Sequence, residues 1–155
     1  MAQELYVSKI LTNEMVTTGK QFLKQIETVM PVTASFWLYT SDTEVWNLYI
    51  VTPFVLTGGS RKVYEEALGI LKAQQERKYT LPLLCITATD DNDFYVSSLR
   101  MMRLSDKTFD ERLTGIGITG SRYIEDAYIY RLYANAEASH SQAADVNREL
   151  AAVMA

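Results

Sequence analysis

The sequence predicts an α+β fold: a single mixed sheet of about five strands, with elements in the order α-β-β-α-β-α-β-β and a further C-terminal helix or polar tail. Three observations lead there. Apolar residues recur at helical spacing in 13–30 and 60–77. β-branched and aromatic residues crowd 33–40 and 44–52, on either side of Ser41-Asp42-Thr43. A short uninterrupted apolar run, 82–89, follows the second helical segment as a strand would.

The first helix carries Met15, Phe22, Ile26 and Val29 on one face, with Asn13 as its expected cap and Pro31 as its stop. Gly19 inside it costs helix propensity, about 1 kcal/mol relative to Ala. The two aromatic runs read as a β-hairpin. A short loop places Tyr39 opposite Glu44 and Trp37 opposite Trp46, an aromatic cross-strand pair. Trp37, Trp46, Leu48 and Ile50 then share one face, and Phe36, Leu38, Val45, Tyr49 and Val51 the other. A hairpin apolar on both faces must be covered on both, by helices or by another subunit.

Pro53 ends the second strand, and a loop over 54–59 is expected before a helix capped by Ser60. Val63, Ala67, Ile70 and Leu71 form that helix's buried stripe. The strand–helix–strand order makes 44–52 and 82–89 parallel, with 82–89 a buried central strand. Asp91 or Asn92 caps a third helix packing Tyr95, Leu99 and Met102. Residues 113–119 and 122–133 form a second hairpin around Gly120-Ser121, which suits a type II′ turn. Residues 1–133 read as one domain. In 134–155, Ser141 is placed to cap a helix presenting Val146, Leu150 and Val153.

Composition excludes several classes. One Cys and one His cannot build a disulfide framework or a multi-Cys or paired-His metal motif. No apolar run approaches the length of a membrane span, and the first residues carry charges where a signal peptide needs an apolar stretch. The expectation is a soluble, cytoplasmic protein. Net charge is −4. The one basic stretch, Arg61 to Lys78, is interleaved with Glu65, Glu66 and Glu76, so no nucleic-acid footprint is expected.

Four groups of residues remain as candidate chemistry. Gly58, Gly59, Ser60, Arg61 and Lys62 form a Gly-rich loop before a helix, where free N–H groups and two cations suit an anion. The loop does not satisfy the P-loop pattern. Asp90, Asp91 and Asp93 follow a strand end and are candidate metal ligands, although the EF-hand pattern fails at Val96 and Met102. The alternative for them is an acid-rich helix start. Glu125 and Asp126 interrupt an apolar strand on opposite faces, so one carboxylate needs a buried partner from Arg122, Arg131 or a Tyr hydroxyl. Trp37, Trp46, Tyr123, Tyr128 and Tyr130 are candidate interface residues, because Trp and Tyr are enriched where one side is apolar and the other wet.

Gly115–Gly120 matches G-x-G-x-x-G literally, but a strand follows it where a dinucleotide site needs a helix. Cys85 lies mid-strand as a small core residue, and His140 lies in the polar tail, so neither completes a nucleophilic pair. No catalytic residue and no cofactor is implied. The leading expectation is a non-catalytic protein working through self-association or contact with another protein. The alternatives are an anion- or small-ligand-binding domain using 57–62, and a metal-dependent hydrolase using Asp90, Asp91 and Asp93.

Overall fold

The computed structural model describes residues 3–5, 7, 9–74, 78–101, 110–119 and 122–132. The described elements are β1 (Gln3–Glu4), α1 (Asn13–Ile26), β2 (Ala34–Thr40), β3 (Val45–Val51) and α2 (Phe54–Ala73). They continue with β4 (Tyr79–Thr80), β5 (Ile86–Thr89), α3 (Phe94–Met101), β6 (Glu111–Thr119) and β7 (Arg122–Leu132). Five strands form a mixed sheet in the order β5-β3-β2-β7-β6. β3 and β5 are parallel and every other pair is antiparallel. This is the expected α+β class. A second, two-stranded parallel sheet, β1 with β4, was not foreseen; two residues per strand leave no periodicity to read. Gly120, Ser121 and the 134–155 segment fall outside the described residues.

The hairpin register differs from the expected one by two residues. Trp37 pairs with Leu48, and Trp46 with Tyr39. The loop is Ser41–Glu44, closed by the Glu44 N–H on the Thr40 carbonyl, with Glu44 at φ 57°. A shift of two leaves every side chain on its expected face, because the strand period is two. Trp37, Trp46, Leu48 and Ile50 pack under α1 and α2. Phe36, Leu38 and Val51 pack with Ala127 and Ile129 of β7 and with Val96 and Leu99 of α3. Both apolar faces are thus covered within one chain.

Helix α1 is capped one residue earlier than expected: the Met15 N–H donates to Thr12 Oγ1 at 3.2 Å. It ends at Ile26, which leaves Val29 half exposed rather than on the buried stripe. Its inner face approaches the sheet closely at Gly19. There the Trp37 indole N–H donates to Tyr130 Oη at 2.8 Å, and the Tyr130 hydroxyl donates to the Val16 carbonyl. A Cβ on Gly19 would lie 2.5 Å from Tyr130 Oη and 2.9 Å from Trp37 Nε1. The register of β2 against β7 jumps between Ser35–Arg131 and Phe36–Ile129, so Tyr130 is the extra residue of a bulge. Bulges re-aim side chains; with this one Ile129 and Leu132, three residues apart, both join the cluster under α3, while Tyr128 and Tyr130 lie on the α1 side.

Helix α2 begins at Phe54, so the expected loop over 54–59 is helical. Thr52 Oγ1 accepts from the Phe54 N–H at 3.1 Å, and Pro53 stands at the cap position just before the helix, its φ of −65° already helical. The break is confined to Gly59, at φ 80° and ψ 158°. One residue free to take positive φ absorbs a kink that a two-glycine loop was expected to make.

The run 82–89 is not a central strand. Leu83–Cys85 form a turn of 3₁₀ helix after Pro82, and only Ile86–Thr89 pair with β3. β5 is the edge of the sheet. Cys85 therefore sits at the strand's approach, though buried as expected. Among the described residues no helix is long and apolar enough to cross a membrane.

Burial gives the fold a pH signature. Burial pushes the Cys85 thiol up from 9.0 to about 12, and the nearby Glu4 adds to it. Burial, then the charge of Asp93, raises the Tyr49 hydroxyl from 10.0 to about 12. Burial also raises Tyr130, more strongly. All three hold their protons more tightly folded than unfolded. Their contribution is therefore complete below the unfolded values and is lost as pH rises from about 9 towards 12. Urea midpoints are expected to be flat between pH 7 and 8.5 and to fall steadily above pH 9.5. A midpoint constant to pH 11 contradicts the burial of these groups.

Candidate functional site

The sheet edge carries the most developed surface feature. β5 covers only Leu48–Val51 of β3. Val45, Trp46 and Asn47 keep an outer backbone edge without a strand partner among the described residues. Pro82 and the turn after it cause this gap, since Pro lacks the N–H that a ladder needs and the 3₁₀ turn leads the chain away. The N-terminal arm borders the gap. Its Leu5 N–H donates to the Thr80 carbonyl at 2.9 Å. Farther along, the Lys9 carbonyl accepts from the Trp46 indole N–H at 2.9 Å.

A cleft of about 290 Å³ results. Leu5, Val7, Val45, Trp46, Pro82 and Cys85 supply its apolar walls, with Glu4 and Asn47 as polar members. Leu84 stands at its rim, 95% exposed. Ile10 follows Lys9 and is also largely exposed. Trp46 is held rigidly: the Tyr39 ring lies 5.7 Å away, and the Arg112 guanidinium sits 5.6 Å over the indole. The Cys85 thiol in the wall stays protonated at neutral pH, so it contributes surface and not a nucleophile.

The sequence-predicted residues fall elsewhere or take other roles. Trp37, Trp46 and Tyr130, three of the candidate interface residues, are buried in the core of one chain. The physical reason is the close approach of α1 at Gly19, which seals the aromatic face. Of the three, only Trp46 lines a cleft. Tyr128 is half-buried with its ring 5.4 Å from that of Tyr130. The side chain of Tyr123 lies outside what is described.

Gly58, Gly59, Ser60, Arg61 and Lys62 lie on the exposed face of α2 around its kink. Arg61 pairs with Glu65 at 3.3 Å, one turn on. Asp93 caps α3, accepting from the Tyr95 and Val96 N–H groups at 2.9 and 3.3 Å. Asp90 accepts from the Asn92 N–H at 2.7 Å. Asp91 meets Arg100 at 2.7 Å and accepts from the Thr33 hydroxyl at 2.9 Å. Each of the three carboxylates thus has a structural partner of its own. Among the described residues no group of three His, Cys, Asp or Glu side chains is arranged to hold a metal ion.

Glu125 and Asp126 are partly exposed, and the Arg122 side chain lies outside what is described. Arg112 on β6 engages both Asp126 oxygens, at 3.0 and 2.7 Å. Glu125 accepts from the Ser41 N–H in the first hairpin loop. Arg131 instead meets Glu27 and donates to the Val32 carbonyl. The break in the apolar pattern of β7 therefore ties β7 to its neighbours at its exposed end.

Sequence reasoning missed Leu5, Val7 and Leu84. The run Pro82–Thr89 offered no cue to separate an exposed Leu84 from a buried Cys85, since both are apolar and adjacent. Compared with protein-family models, curated proteins and solved structures, the chain matches none.

Proposed function

We propose that this chain is a small non-catalytic cytoplasmic protein that works through protein–protein contact, with a second copy of itself as the partner. The observation that supports this reading is the pairing of a knob with a hole. Leu84 projects at the rim of an apolar cleft that lies on an open strand edge. A two-fold contact is self-complementary, so the Leu84 of each copy enters the cleft of the other. An exposed large apolar side chain and an uncovered strand edge are both features that chains usually cover. Trp46, a rigid aromatic at the back of the cleft, is the type of residue that dominates contact energies.

The test is sedimentation velocity of the wild type and of Leu84→Asp at micromolar concentration. Leu84 touches solvent in the single chain, so its substitution leaves folding stability within about 0.5 kcal/mol. The wild type is expected to sediment as a dimer and the variant as a folded monomer. A wild type that stays monomeric, or a variant that dimerises equally well, rules the contact out.

A further inference from the structure

A cavity of about 410 Å³ opens between α1 and the residues leading into β4. Small-molecule sites usually run to roughly 300–1,000 Å³. The cavity shares no lining residue with the cleft beside Leu84. Asn13, Glu14, Thr18 and Gln21 line it from α1, and Lys78 and Tyr79 line it from the other side. Glu14, Thr18 and Gln21 recur at four- and three-residue spacing, so they form one stripe of the helix.

Thr18 is the anomaly in this wall. It is 3% exposed. A Thr inside a helix commonly turns its hydroxyl back to a carbonyl one turn earlier. Here the hydroxyl has no hydrogen-bond partner among the described residues, and yet it is not sealed from solvent as the Thr80 hydroxyl is. The little of Thr18 that meets open space therefore includes its hydroxyl, and the open space it borders is this cavity. Buried hydroxyls are almost always partnered, so one left open to a cavity points to a partner from outside the chain. The same walls carry one charge of each sign. Glu14 and Lys78 have no ion-pair partner among the described residues, and they do not meet each other across the gap. Lys78 Nζ instead lies 5.3 Å from the centre of the Tyr79 ring, which favours the ammonium at this wall.

We propose that this cavity binds a free α-amino acid as its zwitterion. The ligand carboxylate accepts from Lys78 and from the Thr18 hydroxyl, and the ligand ammonium donates to Glu14. The carboxamides of Asn13 and Gln21 suit a polar side chain on the ligand. A simple anion leaves Glu14 unused, and a simple cation leaves Lys78 unused. From Glu14 to Gln21 the stripe covers about 10 Å of helix axis, room for a molecule the size of glutamine.

The test titrates the full chain with L-glutamine, N-acetyl-L-glutamine and L-glutamine α-amide, reading thermal midpoint and amide NMR shifts. L-Glutamine is expected to raise the midpoint and to move resonances of residues 13–21 and 78–79. The acetylated probe lacks the ammonium and the α-amide lacks the carboxylate, so each is expected to bind at least about tenfold more weakly. Glu14→Gln and Lys78→Met are each expected to weaken L-glutamine about fivefold, since both charges are exposed. Thr18→Val removes no hydrogen bond of the chain, so the midpoint of the unliganded protein is expected to hold while L-glutamine binding falls about tenfold. No response to L-glutamine at millimolar concentration leaves the cavity to water and overturns the proposal. An equal response to either blocked probe, or undiminished binding by Thr18→Val, overturns it as well.

Discussion

Gly19→Ala is expected to destabilise the protein by about 2 kcal/mol, against the sign that helix propensity alone gives. Propensity favours Ala over Gly in a helix by about 1 kcal/mol. The new methyl group, however, would sit 2.5 Å from Tyr130 Oη and 2.9 Å from Trp37 Nε1. A clash with the end of a free side chain is relieved by a rotamer change. Tyr130 has no such freedom, since its ring is buried and its hydroxyl both accepts from Trp37 and donates to Val16. Either α1 lifts from the sheet or both hydrogen bonds break. Overpacking of a core costs about 1–3 kcal/mol, and each lost buried hydrogen bond adds about 1 kcal/mol. Together these exceed the propensity gain. Equilibrium urea unfolding decides the matter, and a variant more stable than wild type shows that the Gly19 contact is loose.

Asp91→Ala is expected to cost about 3 kcal/mol. Arg100 is only 7% exposed and meets Asp91 at 2.7 Å, on the same carboxylate oxygen that accepts from the Thr33 hydroxyl. Removing one member of a buried pair takes away part of the other's compensation, which costs about 3–5 kcal/mol when burial is complete and no other partner remains, whereas Arg100 keeps a further interaction of its own. Asp91 is itself about a quarter exposed, so the lower end applies. The same side chain links the start of β2 to the stretch between β5 and α3, so its loss loosens the covering of the second apolar face. Asp90→Ala removes only a local turn contact to the Asn92 N–H and is expected to cost under about 1 kcal/mol. Equal losses for the two variants contradict the assignment of Asp91 as the structural member of the cluster.

Much of the architecture was legible because periodicity carries it. The faces of the first hairpin were readable even with the register misplaced, since a two-residue slip keeps Trp37, Trp46, Leu48 and Ile50 together. Position along the chain was less legible. Pro53 reads as a stop for β3, yet it also stands at the cap position of α2 with helical φ and ψ, and Thr52 Oγ1 accepts from the Phe54 N–H beside it. Position across the sheet was not legible at all. Nothing in Pro82–Thr89 distinguishes an edge from a centre, and the edge placement is what opens the cleft. The burial of the aromatic residues within one chain was not legible for a related reason. Local composition shows that Trp37 and Tyr130 need cover. It does not show that Gly19, 18 positions before Trp37 in the chain, lets a helix of the same chain provide it.

The proposed contact between two copies at Leu84 is tested most directly by the native mass of the wild-type protein. One chain weighs 17.6 kDa. Native mass spectrometry at micromolar concentration is expected to show a species of twice that mass, with Leu84 of each copy in the cleft of the other. A single 17.6 kDa species that persists as concentration is raised contradicts the contact and leaves the cleft open to a different partner.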